Sequence, residues 1–457
     1  MSPMRITPAR SLTLVAGVLI SLLHLALQHT ALASTGDFRA AQAAFGRKDY
    51  DTAVRLLNTL LAAQPDHAAA HELRALAHGY LGRPEEALAD HDHLVQGGKE
   101  TGDLLRRICV GLLTHLLTQD QEIVRGAAAT ALAELGPADT LATLNLALHD
   151  SSPRVRTFAI QTAGRLGLTA KLPAVRDAVT DPDVTVRIAT LSTLGLSKDP
   201  SVVGLVRHGL KDQDPIVQLI AREALVRLNQ PELVQPFLTA ARDFSPAVRG
   251  AAMGILGRLK LKDPTALSAL TLGLSDPDAS VRSFAAGALG DFGATSAITA
   301  LVDALSDRDP YVRNFAAVSL GRLNTKAAIG ALWGAVKDPD SLVRLAAAEA
   351  LVKLGEGEAA LVMRELLKDP DFGVRSAAVG AMARSAPERA MAFALEAFDE
   401  PAPRVRVAAV QALGRVGGKT AIPYLRRALL DKDLTVRAFA AGQFGAVASD
   451  RKRKGEN

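Results

Sequence analysis

Apolar residues recur along this chain at helical spacing in paired short stretches, each pair split by a polar break that begins with an acid. Between Thr295 and Leu323, Ala297, Ile298, Leu301, Val302 and Leu305 form one stripe, Asp307-Arg308-Asp309-Pro310 interrupts it, and Val312, Phe315, Ala316, Leu320 and Leu323 resume it. Steps of three and four place each set on one face of an amphipathic helix, so the pattern predicts helix, turn, helix. The break suits the start of the second helix. Asp309 can accept hydrogen bonds from its free amides, and Pro310 occupies the first turn, where no amide is missed. The same capping column reads Ser152, Asp183, Asp214, Ser245, Asp278, Asp309, Asp340, Asp371 and Asp433, with Ala402 lacking a capping side chain.

This unit is copied in tandem. A Val followed by Arg closes the turn at Arg125, Arg156, Arg187, Arg249, Arg282, Arg313, Arg344, Arg375, Arg406 and Arg437, and Val217-Gln218 is the one departure among eleven copies. Neighbouring copies are 31 residues apart, except for a step of 33 between Arg249 and Arg282. A fixed period of this length marks an array in which each unit packs on its neighbours, so chain length measures reach. We number the repeats 1 to 11 by these positions.

From about residue 100 to 448 the units resemble HEAT-like repeats in the short form found in bilin-lyase-type proteins. Ahead of them the spacing changes: Lys48-Asp49-Tyr50-Asp51 and Gly82-Arg83-Pro84-Glu85 stand 34 residues apart. Ala53, Ala87, Leu57 and Pro65 fall where tetratricopeptide repeats keep small, large and helix-breaking residues. His71, His78 and His91 stand where that family usually has large aromatics. The two resemblances imply an all-α chain, a right-handed α-solenoid of about eleven two-helix units after about two tetratricopeptide-like ones. First helices would lie on the convex side and second helices on the concave side. The expected divisions are a signal segment 1–33, tetratricopeptide-like repeats 34–99, the array 100–448 and a basic tail 449–457.

Two basic columns run through the array. Six residues before each Arg of the first lies an acid: Asp150, Asp181, Asp212, Asp243, Asp276, Asp307, Asp338, Asp369, Glu400 or Asp431, while Asp120 is five before Arg125. The HEAT resemblance implies that these acids and Arg residues form a ladder at the turns, linking adjacent repeats. Bidentate, charge-assisted bonding explains Arg rather than Lys. On that reading Gln218 deprives Asp212 of its partner and makes the array softest there. Nine residues after the ladder position come Arg165, Arg227, Arg258, Arg322, Lys353, Arg384 and Arg415, interrupted by Glu134, Leu196, Asp291 and Ala446. No acid column shadows this second set. Its cations suit the C-terminal ends of second helices, where the helix dipole favours positive charge. They also form a candidate partner-binding stripe over small residues including Gly254, Gly287, Gly380 and Gly442.

Composition narrows the function. Apolar residues make up 48% of the chain and aromatics 4%, which suits closely packed helices and opposes an aromatic-rich nucleic-acid surface. Arg5 and Arg10, the apolar run Ser11 to Leu27 and Ala31-Leu32-Ala33 follow the order of a secretory signal peptide, so cleavage is expected after Ala33. A membrane role arises only if that segment stays uncut. Cleavage would take the formal charge from +5 to +3, and Arg451-Lys452-Arg453-Lys454 supplies much of the remainder. Cys109 is the only cysteine, so no internal disulfide can form.

Catalytic constellations do not emerge. His67, His71, His78, His91 and His93 cluster, and an i, i+4 His pair can bind zinc, but three of the five occupy packing positions. The repeated His-Glu pairs of HEAT-like metal-dependent hydroxylases reduce here to His71-Glu72. The sequence therefore points to a non-enzymatic, exported scaffold or assembly factor, periplasmic or secreted. It would need no cofactor and would bind an acidic protein, not nucleic acid, on its concave face. The alternative is an auxiliary subunit or chaperone of a cofactor-attaching, bilin-lyase-like enzyme. The Ala- and Gly-rich last unit, with Phe439 and Phe444, looks weakly capped.

Overall fold

A computed structural model describes residues 36–99, 101–230, 234–261 and 263–448. The expected signal segment 1–33 and basic tail 449–457 lie outside the described residues. All regular structure among the described residues is helical, and the chain divides into two compact units, Met1–His115 and Leu116–Asn457.

The first unit contains α1 (36–46), α2 (Tyr50–Ala63), α3 (Ala68–Tyr80), α4 (Pro84–Gln96) and α5 (Gly102–Leu116). Side-chain caps set two of the starts: Asp49 accepts from the Thr52 amide at 3.2 Å, and His67 Nδ1 from the Ala70 amide at 3.1 Å. Ala53, Leu57 and Ala87 are fully buried. α3 and α5 approach closely through two glycines. A Cβ on Gly79 would sit 2.9 Å from the Ile108 carbonyl oxygen, and one on Gly111 3.0 Å from the Tyr80 nitrogen. This contact explains why the compact unit runs one helix past the boundary expected at residue 99: α5, which the period assigns to repeat 1, packs here.

In the second unit, the second helices of repeats 1 to 11 are Glu122–Ala131, Pro153–Arg165, Val184–Leu196, Pro215–Arg227, Pro246–Leu259, Ala279–Phe292, Pro310–Leu323, Ser341–Lys353, Phe372–Ser385, Pro403–Val416 and Leu434–Ala448. The patterned stripe of repeat 7 is buried at Val312, Ala316 and Leu320. Phe315 departs from it at 39% exposure, because its ring lies over Gly287 of the preceding helix, 3.3 Å from where a Cβ would be. Asp309 accepts from the amides of Tyr311 and Val312, and comparable caps form at Ser152, Asp183, Asp214, Asp278, Asp340, Asp371 and Asp433. Ser245, expected in the same role, makes no side-chain cap bond. The Asp243 carboxylate accepts the Ser245 amide at 2.8 Å, a bond that the capped turns also make.

Second helices of successive repeats pack side by side through a glycine eight residues after the ladder position. A Cβ on Gly257 would lie 2.7 Å from the Ala288 Cα, and one on Gly290 2.8 Å from the Ser319 Cα. Gly164, Gly195, Gly321 and Gly414 hold equivalent places against the following helix. Hydroxyls tie the same faces together: Thr162 Oγ1 donates to the Ala129 carbonyl at 3.0 Å, and Ser319 Oγ to the Ala286 carbonyl at 2.8 Å.

The helix of repeat 11 then packs on that of repeat 1. A Cβ on Gly442 would come within 2.7 Å of the Ala131 carbonyl oxygen, and Phe444 is 2% exposed. The eleven second helices therefore close into a ring, and we call them the inner helices. The weak cap expected at the last unit is instead a joint with the first. Gly442, expected on an open floor, lies inside that joint.

Candidate binding surface on the inner helices

The ladder forms, with a connectivity that the spacing did not reveal. Seven of the ten Arg residues send their Nε and one Nη to the carboxylate of the following repeat. Arg156 reaches Asp181 at 2.9 and 2.7 Å, Arg313 reaches Asp338 at 2.7 and 2.8 Å, and Arg125, Arg187, Arg249, Arg282 and Arg406 pair likewise with Asp150, Asp212, Asp276, Asp307 and Asp431. The acid six residues upstream in the same repeat contributes its backbone: Arg156 Nη1 donates to the Asp150 carbonyl at 2.9 Å. The Asp181 carboxylate also accepts the Asp183 amide at 2.9 Å, which fixes it in the turn with its other lone pairs facing the preceding repeat.

These contacts hold the carboxyls of Asp212 and Asp276 below the usual range through hydrogen bonds from Arg187 and Arg249, against a smaller opposing effect of burial. At Asp150, Asp307, Asp338 and Asp431 burial is the largest single influence and pushes upward, but Arg and backbone bonds together outweigh it.

Four ladder expectations need correction. Asp212 keeps its partner, Arg187. Gln218 donates to the Asp212 carbonyl at 2.7 Å, so the acid that loses an Arg is Asp243, exposed and bonded to the Ser245 amide. Arg437 donates to the Asp431 carbonyl of its own repeat. The pair Arg344 and Asp369 opens to 3.8 Å, with Ser341 Oγ relaying between them at 2.7 and 2.6 Å. At Arg375 the longer Glu400 takes a single bond of 3.1 Å, leaving the Arg375 Nε without a partner.

The second cationic column is not free of acids. Arg165 meets Glu134 at 3.3 Å and Arg322 meets Asp291 at 2.5 Å, so two apparent interruptions supply the partners. Arg227 and Arg258 converge on Glu223 at 3.0 and 2.6 Å, and Lys353 and Arg384 on Glu349 at 2.9 Å each. Glu223 and Glu349 stand five residues after the ladder position, in repeats 4 and 8 alone, a sporadic pairing that a column at constant offset cannot show. Arg415 is exposed and has no acidic partner among the described residues.

A cavity of about 1200 Å³ lies against repeats 1, 2 and 7 to 11, walled by inner helices and the residues just after them. Arg165, Arg384 and Arg415 of the candidate stripe reach it, with Lys419, Glu134 and Glu349. Gly380 is on its floor, while Arg227, Arg258, Arg322 and Lys353 are not in its wall.

The histidines in the first unit make packing and hydrogen-bond contacts. His71 bonds Asp90 through Nδ1 at 2.6 Å and the Pro65 carbonyl through Nε2 at 2.7 Å, while its ring stacks on His93. Burial pushes the His78 imidazole below its ordinary range. Among the described residues no group of three or more His, Cys, Asp or Glu side chains is arranged to hold a metal ion, and no helix is long and apolar enough to cross a membrane.

Among solved structures the chain is similar to human deoxyhypusine hydroxylase, at 23% identity over 56% of this chain and 99% of that one, with a TM-score of 0.31. It is also similar to the CpcE and CpcF complex of phycocyanin lyase from Nostoc sp., at 22% identity over 56% of this chain and 94% of that one, with a TM-score of 0.33. No protein of curated function matches it by sequence. A family model of HEAT repeats matches in five overlapping windows, residues 110–189, 172–243, 234–314, 298–383 and 360–445. These windows run through well over half of the sequence, and the chain belongs to the HEAT-repeat family.

Proposed function

We propose that this protein is an exported, non-enzymatic scaffold or assembly factor that binds a protein partner within its ring of inner helices. One observation carries the reading: the cavity of about 1200 Å³ is bounded by inner helices from seven of the eleven repeats, so the array turns one continuous surface toward a single space. Repeat arrays typically use such surfaces for macromolecular recognition. The charge, apolar and small-residue order of residues 1–33 supports export to the periplasm or beyond.

Affinity capture from the cell-envelope fraction tests this with two variants. Gln411→Trp fills the cavity from an exposed lining position, and Leu361→Gln alters an exposed position on the first helix of repeat 9, Ala360–Glu365, away from the cavity wall. A partner retained by Leu361→Gln and lost by Gln411→Trp is the expected result. Equal recovery by both would sink the reading.

A further inference from the structure

We infer that the cavity takes a short acidic segment of polypeptide, with a partner carboxylate seated on Arg415. This rests on the function proposed above and specifies its ligand.

Closure decides the form of the guest. Because repeat 11 packs on repeat 1 through Gly442 and Ala131, the inner helices do not splay apart to admit a folded domain as an open solenoid can. A volume of about 1200 Å³ matches roughly two turns of a helix of ordinary diameter. It also exceeds the usual range of small-molecule pockets, roughly 300 to 1,000 Å³.

The wall decides the chemistry. Val318, Leu342, Leu345 and Phe439 supply apolar contact, and the side-chain amides of Asn314 and Gln411 can bond a peptide backbone. Gly380, Ala377 and Ala412 leave room for that backbone to come close. Charge is unbalanced: Arg165, Arg384 and Arg415 face the space against Glu134 and Glu349. Arg165 and Arg384 are engaged by those two acids, whereas Arg415 is exposed with its guanidinium uncommitted. A planar fork with no acid of its own is the natural seat for a carboxylate. A basic guest would meet the surplus of positive charge.

The test uses the full chain and three fluorescently labelled peptides of about eight residues, alternating Glu, Gln or Lys with Leu. Fluorescence anisotropy should show binding of the Glu peptide, weakened by salt, and at least tenfold weaker in Arg415→Gln with an unchanged melting temperature. Binding of the Gln peptide as tight as the Glu peptide, or unchanged affinity in Arg415→Gln, would overturn the acidic assignment. If the Glu peptide does not bind while Gln411→Trp still loses its captured partner, the ligand class is wrong and the cavity remains the binding site. If Gln411→Trp keeps its partner as well, both readings fall.

Discussion

The joint between repeats 2 and 3 and the joint between repeats 4 and 5 use the same two-helix unit and fasten it differently. At the first, Arg156 grips Asp181 with two bonds at the turn, and Gly164 lets the inner helices close until a Cβ there would lie 2.7 Å from the Thr193 methyl. At the second, Gln218 leaves Asp243 without a cation, and Val226 stands where the glycine would be. The ionic tie moves inward instead, to Glu223 and the Arg258 of the next repeat. Repeats 8 and 9 follow the second pattern, with Val352 in the glycine position, a ladder pair loosened to 3.8 Å, and Glu349 receiving Arg384. Every joint with glycine at the helix crossing thus has a tight turn bridge, and the joint of repeats 1 and 2 keeps its bridge with Ala133 in that place. Where the helices are held apart by a branched side chain, an acid on the inner helix spans the gap.

Acid should separate the two kinds of joint most strongly. The ladder carboxyls of Asp150, Asp212, Asp276, Asp307, Asp338 and Asp431 have native values lowered from 3.8. Their contribution is therefore present above about pH 4 and lost as the pH falls through the lowered values. Thermal melting should drop steeply below about pH 4, and hydrogen exchange should show turn protection lost at the joint of repeats 3 and 4, where Asp212 holds Arg187, before it changes at that of repeats 4 and 5. Simultaneous loss at both joints would mean that the ladder does not govern acid stability.

Single substitutions should rank below that. Arg313 and Asp338 are 14% and 8% exposed, so Arg313→Ala leaves a largely buried carboxylate alone and should cost on the order of 3 kcal/mol. Gln218→Ala removes a neutral bond and should cost about 1 kcal/mol. Urea melts giving equal losses would erase the distinction between joints.

Next comes packing. Gly257→Val must push the Ala288 backbone away from a 2.7 Å approach and should cost about 2 kcal/mol, while Val226→Leu, at a joint already spaced for a branched side chain, should stay within about 1 kcal/mol. The smallest effect is a gain. Gln218→Arg offers Asp243 the missing partner and should add up to about 1 kcal/mol, the range of a partly exposed pair. No gain in melting temperature would show that Val226 sets the spacing too wide for the bridge.

Much of this architecture could be read from the residues. The period, the capping acids and the use of Arg beside Val in ten of the eleven copies all report local geometry, and local geometry repeats. The direction of the ladder could not, because the acid nearest in sequence offers its carbonyl while its carboxylate serves the preceding copy. Glu223 and Glu349 escaped notice since they serve two joints and not eleven. Closure was illegible for a different reason: it depends on small rotations summed over every joint, and no single unit carries that sum. Gly442 is the instructive residue, a small side chain that suggested an open floor and proves to be where the last helix touches the first.

A linear array needs terminal units with polar outer faces to protect its ends; a hoop needs none. Each inner helix here has a neighbour on both sides, so no repeat is terminal in the packing. A circular permutant opened between repeats 4 and 5, with repeat 11 linked to repeat 1, would keep every inner-helix contact. Separating any one joint of the hoop also requires the remaining ten to flex together, so the joints resist opening as a set.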